Sequence, residues 1–251
     1  MIELCAGTAA VSLAASGSSR FPVSRIGSKA GYVEPILEAC GWWRTRFFLC
    51  EIDPSLISIW HALLDTQGVG YREATAHEIE MTLGLDARGV WEWAREGVRT
   101  CPSPSASDVL LWMAGARGGI GGFKGLHKLR PNVDGFIPSR ESLVERIRTF
   151  RTSGLRMHYG NASDLDPAAF VKDVVYIDPP YVGRQGYGWC LREPVEGIAE
   201  RWRAAGHKVV VSEGRPLPGA DEHRNITRHR KGQSRRSLTT NQEEWLSIWK
   251  P

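Results

Sequence analysis

The sequence predicts an α/β protein built on a doubly wound, mainly parallel sheet. Short apolar runs alternate with stretches of helical periodicity along most of the 251 residues, and several of those runs stop in a small-residue turn or an acid. Hydrophobic content of 42% beside 24% charged residues is that of a chain able to bury a sizeable core. Alternating strands and helices imply parallel strands joined by helical crossovers. Such sheets hold their ligands at the carboxyl ends of the strands, so the residues ending each strand carry the functional information.

The first strand covers residues 2–5 and runs into Ala6-Gly7-Thr8-Ala9, with a helical pattern following to residue 16. Residues 17–28 are rich in Ser, Gly and Arg and read as a loop before a helix over 31–40. A buried strand occupies 46–53. Pro54 opens the next helix, where its missing N–H costs nothing, and that helix continues to residue 64. Between 66 and 139 the rhythm is lost. Trp91, Trp93 and Trp112 fall here, with Pro102, Pro104 and a glycine cluster over 115–122, which predicts an inserted, partly irregular subdomain. The pattern resumes with a helix over 139–151, a strand over 173–178, a helix over 195–205, a strand over 208–212 and a closing strand over 244–249. One domain made of 1–65 and 140–251, interrupted by 66–139, is the expected organisation. The tryptophans fit filling the core or covering the insertion better than reading bases.

The net charge of +4 decides little, but its distribution says more. Between Arg224 and Arg236 stand six Lys or Arg residues and no acid, and a second basic stretch over 117–140 is interleaved with glycines, Phe123 and Phe136. Each could meet a phosphate backbone, but either run taken alone fits a solvated face better. The five cysteines are odd in number and widely spaced, with no C-x-x-C pair, which argues against a disulfide framework and against a cysteine zinc site. No metal is expected. The opening stretch has no basic leader, and no apolar run approaches the length that crosses a bilayer, so the expectation is a soluble protein of the cytoplasm with no membrane partner.

Three strand ends stand out. The first is Cys5-Ala6-Gly7-Thr8, where small residues let backbone approach a nucleoside closely. The second is Glu51-Ile52-Asp53, whose acid suits both hydroxyls of a ribose, although a helix-capping carboxylate is the plain alternative. The third, Asp178-Pro179-Pro180-Tyr181, is the sharpest. Two prolines end a parallel ladder and stiffen the backbone, so a preorganised carboxylate and carbonyl can accept the two hydrogens of an amino group while the ring stacks on the base bearing it.

That tetrapeptide resembles the catalytic motif of DNA amino-methyltransferases, specifically the Dam-like N6-adenine class. Residues 3–11 are similar to the family's cofactor loop, with Ala9 at a usual glycine, and residues 48–57 resemble its acidic strand and following helix. Arg25-Ile26-Gly27-Ser28-Lys29 resembles its Gly-Gly-Lys segment, Asn161-Ala162-Ser163-Asp164-Leu165 the piece beside the cofactor's adenine, and residues 123–138 its DNA-recognition region. In the family the Gly-Gly-Lys segment precedes the cofactor loop. Here it follows, which implies either a permuted order or an ordinary surface lysine at Lys29.

The resemblance implies a Rossmann-like sheet of the S-adenosylmethionine-dependent methyltransferase type, with the insertion acting in DNA recognition. It implies double-stranded DNA as partner, S-adenosylmethionine as cofactor, and methylation of the adenine N6 amine after base flipping. Asp178, Pro179, Pro180 and Tyr181 would be catalytic. Leu4, Cys5, Ala6, Gly7, Thr8, Lys29, Glu51, Ile52, Asp53, Asp164, Leu165 and Asp178 would bind the cofactor. Arg117, Lys124, His127, Lys128, Arg130, Asn132, Tyr187, Arg235 and Arg236 would meet DNA. Competing readings are a cytosine-N4 or RNA adenine amino-methyltransferase and a catalytically silent DNA-binding relative. Oligomeric state is open between monomer and weak dimer.

Overall fold

The computed structural model describes residues 1–23, 28–41, 46–65, 70–116, 136–181, 191–229 and 243–251. Its centre is a seven-stranded sheet of β1 (Ile2–Leu4), β2 (Phe47–Glu51), β3 (Leu155–Tyr159), β4 (Val174–Ile177), β5 (Lys208–Glu213), β6 (Glu222–Asn225) and β7 (Trp245–Trp249). The spatial order is β3-β2-β1-β4-β5-β7-β6. The five strands from β3 to β5 run parallel, while β7 is antiparallel to both β5 and β6. Between β1 and β4 the order reverses direction, and this switch point is where doubly wound sheets leave a crevice at the strands' carboxyl ends.

Alternation along the central strands assigns side chains to the two faces. Val175 and Ile177 of β4, with Val209 and Val211 of β5, pack under helix α8 (Val195–Ala204) through Ile198, Ala199 and Trp202. Val174, Tyr176 and Val210 turn the other way, onto helices α1 (Ala10–Ala15) and α2 (Val33–Cys40) through Val11, Ile36 and Ala39. Period-two side chains on a strand buried on both faces produce this division.

Helix α3 (Pro54–Leu64) starts at the expected proline, capped by Asp53. The next stretch is the one expected to be inserted and partly irregular, and its described residues 70–116 form helices α4 (Tyr71–Glu80), α5 (Ala87–Thr100) and α6 (Ala106–Gly115), followed by α7 (Phe136–Arg148). The reason is visible in α5. Ala87, Val90, Trp91, Ala94 and Val98 recur at helical spacing and are all buried, while Pro102 and Pro104 lie between helices rather than inside them. One apolar cluster runs from Leu49 and α3 through Ala76, Val90, Leu110 and Ile147, so these helices continue the α3 layer. Trp60, Trp91, Trp112, Trp202 and Trp249 are buried, whereas Trp93 is 62% exposed. Strands β3 and β6 lay outside the sequence expectation. Both are sheet-edge strands with mixed burial, where apolar alternation is weak.

Candidate active site

The β1 end is held by backbone in unusual conformations. Cys5, Gly7 and Ala9 all have positive φ, at 57°, 54° and 46°. For Cys5 and Ala9 this is a conformation that side-chain-bearing residues adopt at a cost of about 1–2 kcal/mol. Their neighbours enforce it. Ala6 N–H donates to the Cys50 carbonyl at 2.9 Å, Gly7 N–H to Glu51 Oε2 at 2.5 Å, and Trp60 Nε1 to the Gly7 carbonyl at 2.9 Å. Among the described residues, a methyl group built on Gly7 would meet nothing nearer than the Cys5 carbonyl at 4.0 Å. Leu4, Ala6 and Thr8 are buried, with Thr8 Oγ1 3.0 Å from Ser28 Oγ.

Glu51, 6% exposed, ends β2 and is tied to the same turn. Besides Gly7 N–H it accepts from Ile52 N–H and Asp53 N–H on Oε1, both at 2.9 Å. Asp53 Oδ1 accepts from Ser55 N–H at 3.0 Å, which is the capping alternative that its position allowed. The chain after β3 comes alongside, since Gly160 N–H donates to the Glu51 carbonyl at 2.9 Å. There Asn161 Oδ1 accepts from Ser163 N–H at 2.9 Å and Leu165 is buried, while the exposed Asp164 carboxylate pairs with Arg192 at 2.7 Å.

Asp178 follows β4, and its N–H reaches the Leu4 carbonyl at 3.3 Å, which places the proline motif against the β1 turn. Its carboxylate Oδ1 lies 2.8 Å from Lys29 Nζ. Lys29 is 6% exposed, so it is not the ordinary surface lysine that its Ser-rich approach left open. It begins a 3-10 turn ahead of α2, and its Nζ also stands 3.6 Å from Glu244 Oε1 and 4.6 Å from the centre of the Tyr181 ring. The Tyr181 hydroxyl donates to Glu244 Oε1, which also accepts from Ser212 Oγ at 2.6 Å.

Burial raises the Asp178 carboxyl from its ordinary 3.8 to about 6, against the pull of Lys29 and with help from Glu244 and Glu213. Burial opposes the charge on Lys29, but Asp178, Tyr181 and Glu244 together hold its ammonium well above the usual lysine value. The Tyr181 and Tyr176 hydroxyls are pushed up by burial. At neutral pH the arrangement is therefore an ionised acid held on a buried cation, beside a protonated phenol.

The turn at Cys5 to Thr8, Glu51, Asp53, Lys29, Asp178, Pro179, Pro180 and Tyr181 thus share one end of the sheet. Three groups in this cluster were not singled out by sequence reasoning, namely Ser212, Glu213 and Glu244. Ser212 and Glu213 close β5, and their place at a strand end was the available signal. Glu244 stands before its strand, where such a rule does not look. Arg117, Lys124, His127, Lys128, Arg130, Asn132, Tyr187, Arg235 and Arg236 lie outside the described residues, as do Arg25, Ile26 and Gly27. Cys5, Cys40, Cys50 and Cys101 are free thiols. Among the described residues no group of His, Cys, Asp and Glu is arranged to hold a metal ion, and no helix is long and apolar enough to cross a membrane. No protein-family model matches the chain, and no curated protein is significantly similar to it.

Proposed function

We propose that this chain is an S-adenosylmethionine-dependent methyltransferase that modifies the N6 amine of adenine in double-stranded DNA. The observation carrying the proposal is the position of Asp178-Pro179-Pro180-Tyr181. It ends the strand at the sheet's switch point, bonded to the first strand's turn, with its carboxylate on a buried lysine. The strand order is compatible with the methyltransferase type of Rossmann-like sheet.

The residues at the β1 and β2 ends suit the cofactor. The face at Gly7 admits a nucleoside closely, and Glu51 offers a carboxylate to a ribose. Asn161 and Leu165 would border the adenine. When bound, S-adenosylmethionine supplies a methyl group activated by a sulfonium. Asp178 Oδ2 and the Pro179 carbonyl accept the two hydrogens of the target amine, which frees its lone pair from the ring. Lys29 keeps Asp178 ionised despite its burial. Tyr181 offers its ring to the extruded base. Fixed acceptors of this kind contribute about 2.7–4 kcal/mol each where charge develops. Residues 66–139, which include helices α4, α5 and α6 and the basic residues from Arg117 to Arg130, would form the inserted DNA-recognition part.

The test is transfer of labelled methyl from S-adenosylmethionine to unmethylated double-stranded DNA, followed by digestion to nucleosides. We expect N6-methyladenine as product, and turnover by Asp178→Asn reduced about 100-fold or more with cofactor binding still measurable. Label on cytosine, label in RNA only, or an Asp178→Asn protein as active as the parent would each overturn the proposal.

A further inference from the structure

The function proposed above makes no use of Glu244. Yet its carboxylate sits where three separate segments meet. Tyr181 arrives from the β4 end, Ser212 from β5 and Lys29 from the turn ahead of α2, and all three approach Oε1. Glu244 is itself immobilised. It is 8% exposed, its N–H donates to Thr227 Oγ1 at 2.8 Å, and its carbonyl accepts from Ile226 N–H at 2.8 Å. A carboxylate fixed at both backbone groups is a rigid anchor for what it holds.

We infer that Glu244 is a positioning residue, which sets the Tyr181 ring and the Lys29 ammonium so that Asp178 faces the amine to be methylated. The inference rests on the methyltransferase reading. A ring held only at Cβ can tilt. One held at its hydroxyl as well has its long axis fixed, so the ring's position is set and only rotation about that axis is left for it to lie against a base. Lys29 has a flexible four-carbon stem, and its ammonium lies 2.8 Å from Asp178 Oδ1 and 3.6 Å from Glu244 Oε1, shared between the two carboxylates. Removing Glu244 takes away one of the two acids that fix where that ammonium stands beside Asp178.

Glu244→Ala and Glu244→Gln, compared with Tyr181→Phe and the Glu244→Ala/Tyr181→Phe double variant, test this. Glu244→Ala should lower kcat about 10- to 100-fold while leaving the KM for S-adenosylmethionine within about threefold, because misplacement affects the reacting geometry rather than cofactor contacts. Glu244→Gln keeps an acceptor for the phenol and should recover part of the loss. Among the described residues the titratable groups around Asp178 are Lys29, Tyr176, Tyr181, Glu213, Glu244, Glu3 and Cys5. Removing one negative neighbour should therefore move the acid limb of the Glu244→Gln pH profile to lower pH. The double variant should be little worse than Glu244→Ala alone, since both changes break one contact.

A second readout needs no turnover. In spectra of tyrosine-labelled protein, with Tyr181 assigned through Tyr181→Phe, its phenol should titrate at lower pH in Glu244→Gln, because that carboxylate helps hold it up. Turnover of Glu244→Ala within about twofold of the parent, or single-variant losses that simply multiply, overturns the inference. So does an unmoved Tyr181 titration, which stays decisive if Glu244→Ala does not fold. Absence of methyl transfer by the parent protein sinks the methyltransferase reading instead, and the tyrosine titration then still decides whether Glu244 holds Tyr181.

Discussion

Burial of Glu3 on β1 raises its carboxyl from 4.5 to about 7, although it accepts from Ser12 N–H at 2.9 Å. An acid whose folded value lies above its unfolded one holds its proton longer in the native state, so stability falls as pH rises from about 4.5 to about 7. The loss amounts to up to about 3 kcal/mol, at 1.36 kcal/mol per pH unit. Glu3→Gln keeps an acceptor for Ser12 and removes the titration. We expect its unfolding free energy to change less between pH 5 and pH 8 than that of the parent, measured by urea denaturation at both values. An equal change in the two proteins would show that Glu3 is not the group responsible. Asp178 is shifted in the same direction, but Lys29 opposes its shift whereas Glu3 has only hydrogen bonds from Ser12 on its side. At this scale the proline motif and the acid at 51 were readable from type and position, while the burial of Glu3 and Lys29 was not. A single charged residue looks the same in sequence whether it faces water or a helix.

Helix α3 connects the fold to the site. Its Trp60 is fully buried, packs against Phe21 and Phe150, and spends its one donor on the Gly7 carbonyl. Trp60→Phe keeps most of the ring area and removes that donor. We expect a loss of about 1–3 kcal/mol in unfolding free energy, the cost of a carbonyl left unpaired, together with weaker binding of S-adenosylmethionine by calorimetry. A variant with unchanged stability and affinity would show that the β1 turn holds its shape without α3. Elements with a clear period were legible in sequence, as α3 and β4 show. Helix α5 carries an equally clear period, which the prolines and glycines around it obscure. Strands β3 and β6 had no such signal, because an edge strand needs apolar residues on one face at most.

For the molecule as a whole, the sheet's centre is buried on both sides and its edges are not. Val174, Val175, Tyr176 and Ile177 of β4 and Val209, Val210 and Val211 of β5 are all at most 2% exposed, whereas β6 alternates between half-buried and exposed. Native-state hydrogen exchange should find the slowest amides in β4 and β5 and the fastest strand amides in β6. Faster exchange in β4 than in β6 would contradict this arrangement. The central strands, the parallel core and the acids that end its strands were determined by the sequence itself, since alternation, Pro-Pro breaks and helix starts act within a few residues. The meeting of Tyr181 with Glu244, 63 positions apart, and of Lys29 with both acids was decided only in the tertiary structure. Because β7 runs against β5, the beginning of β7 rather than its end arrives beside Asp178. Strand direction follows from long-range pairing and packing, to which the local sequence around Glu244 is indifferent.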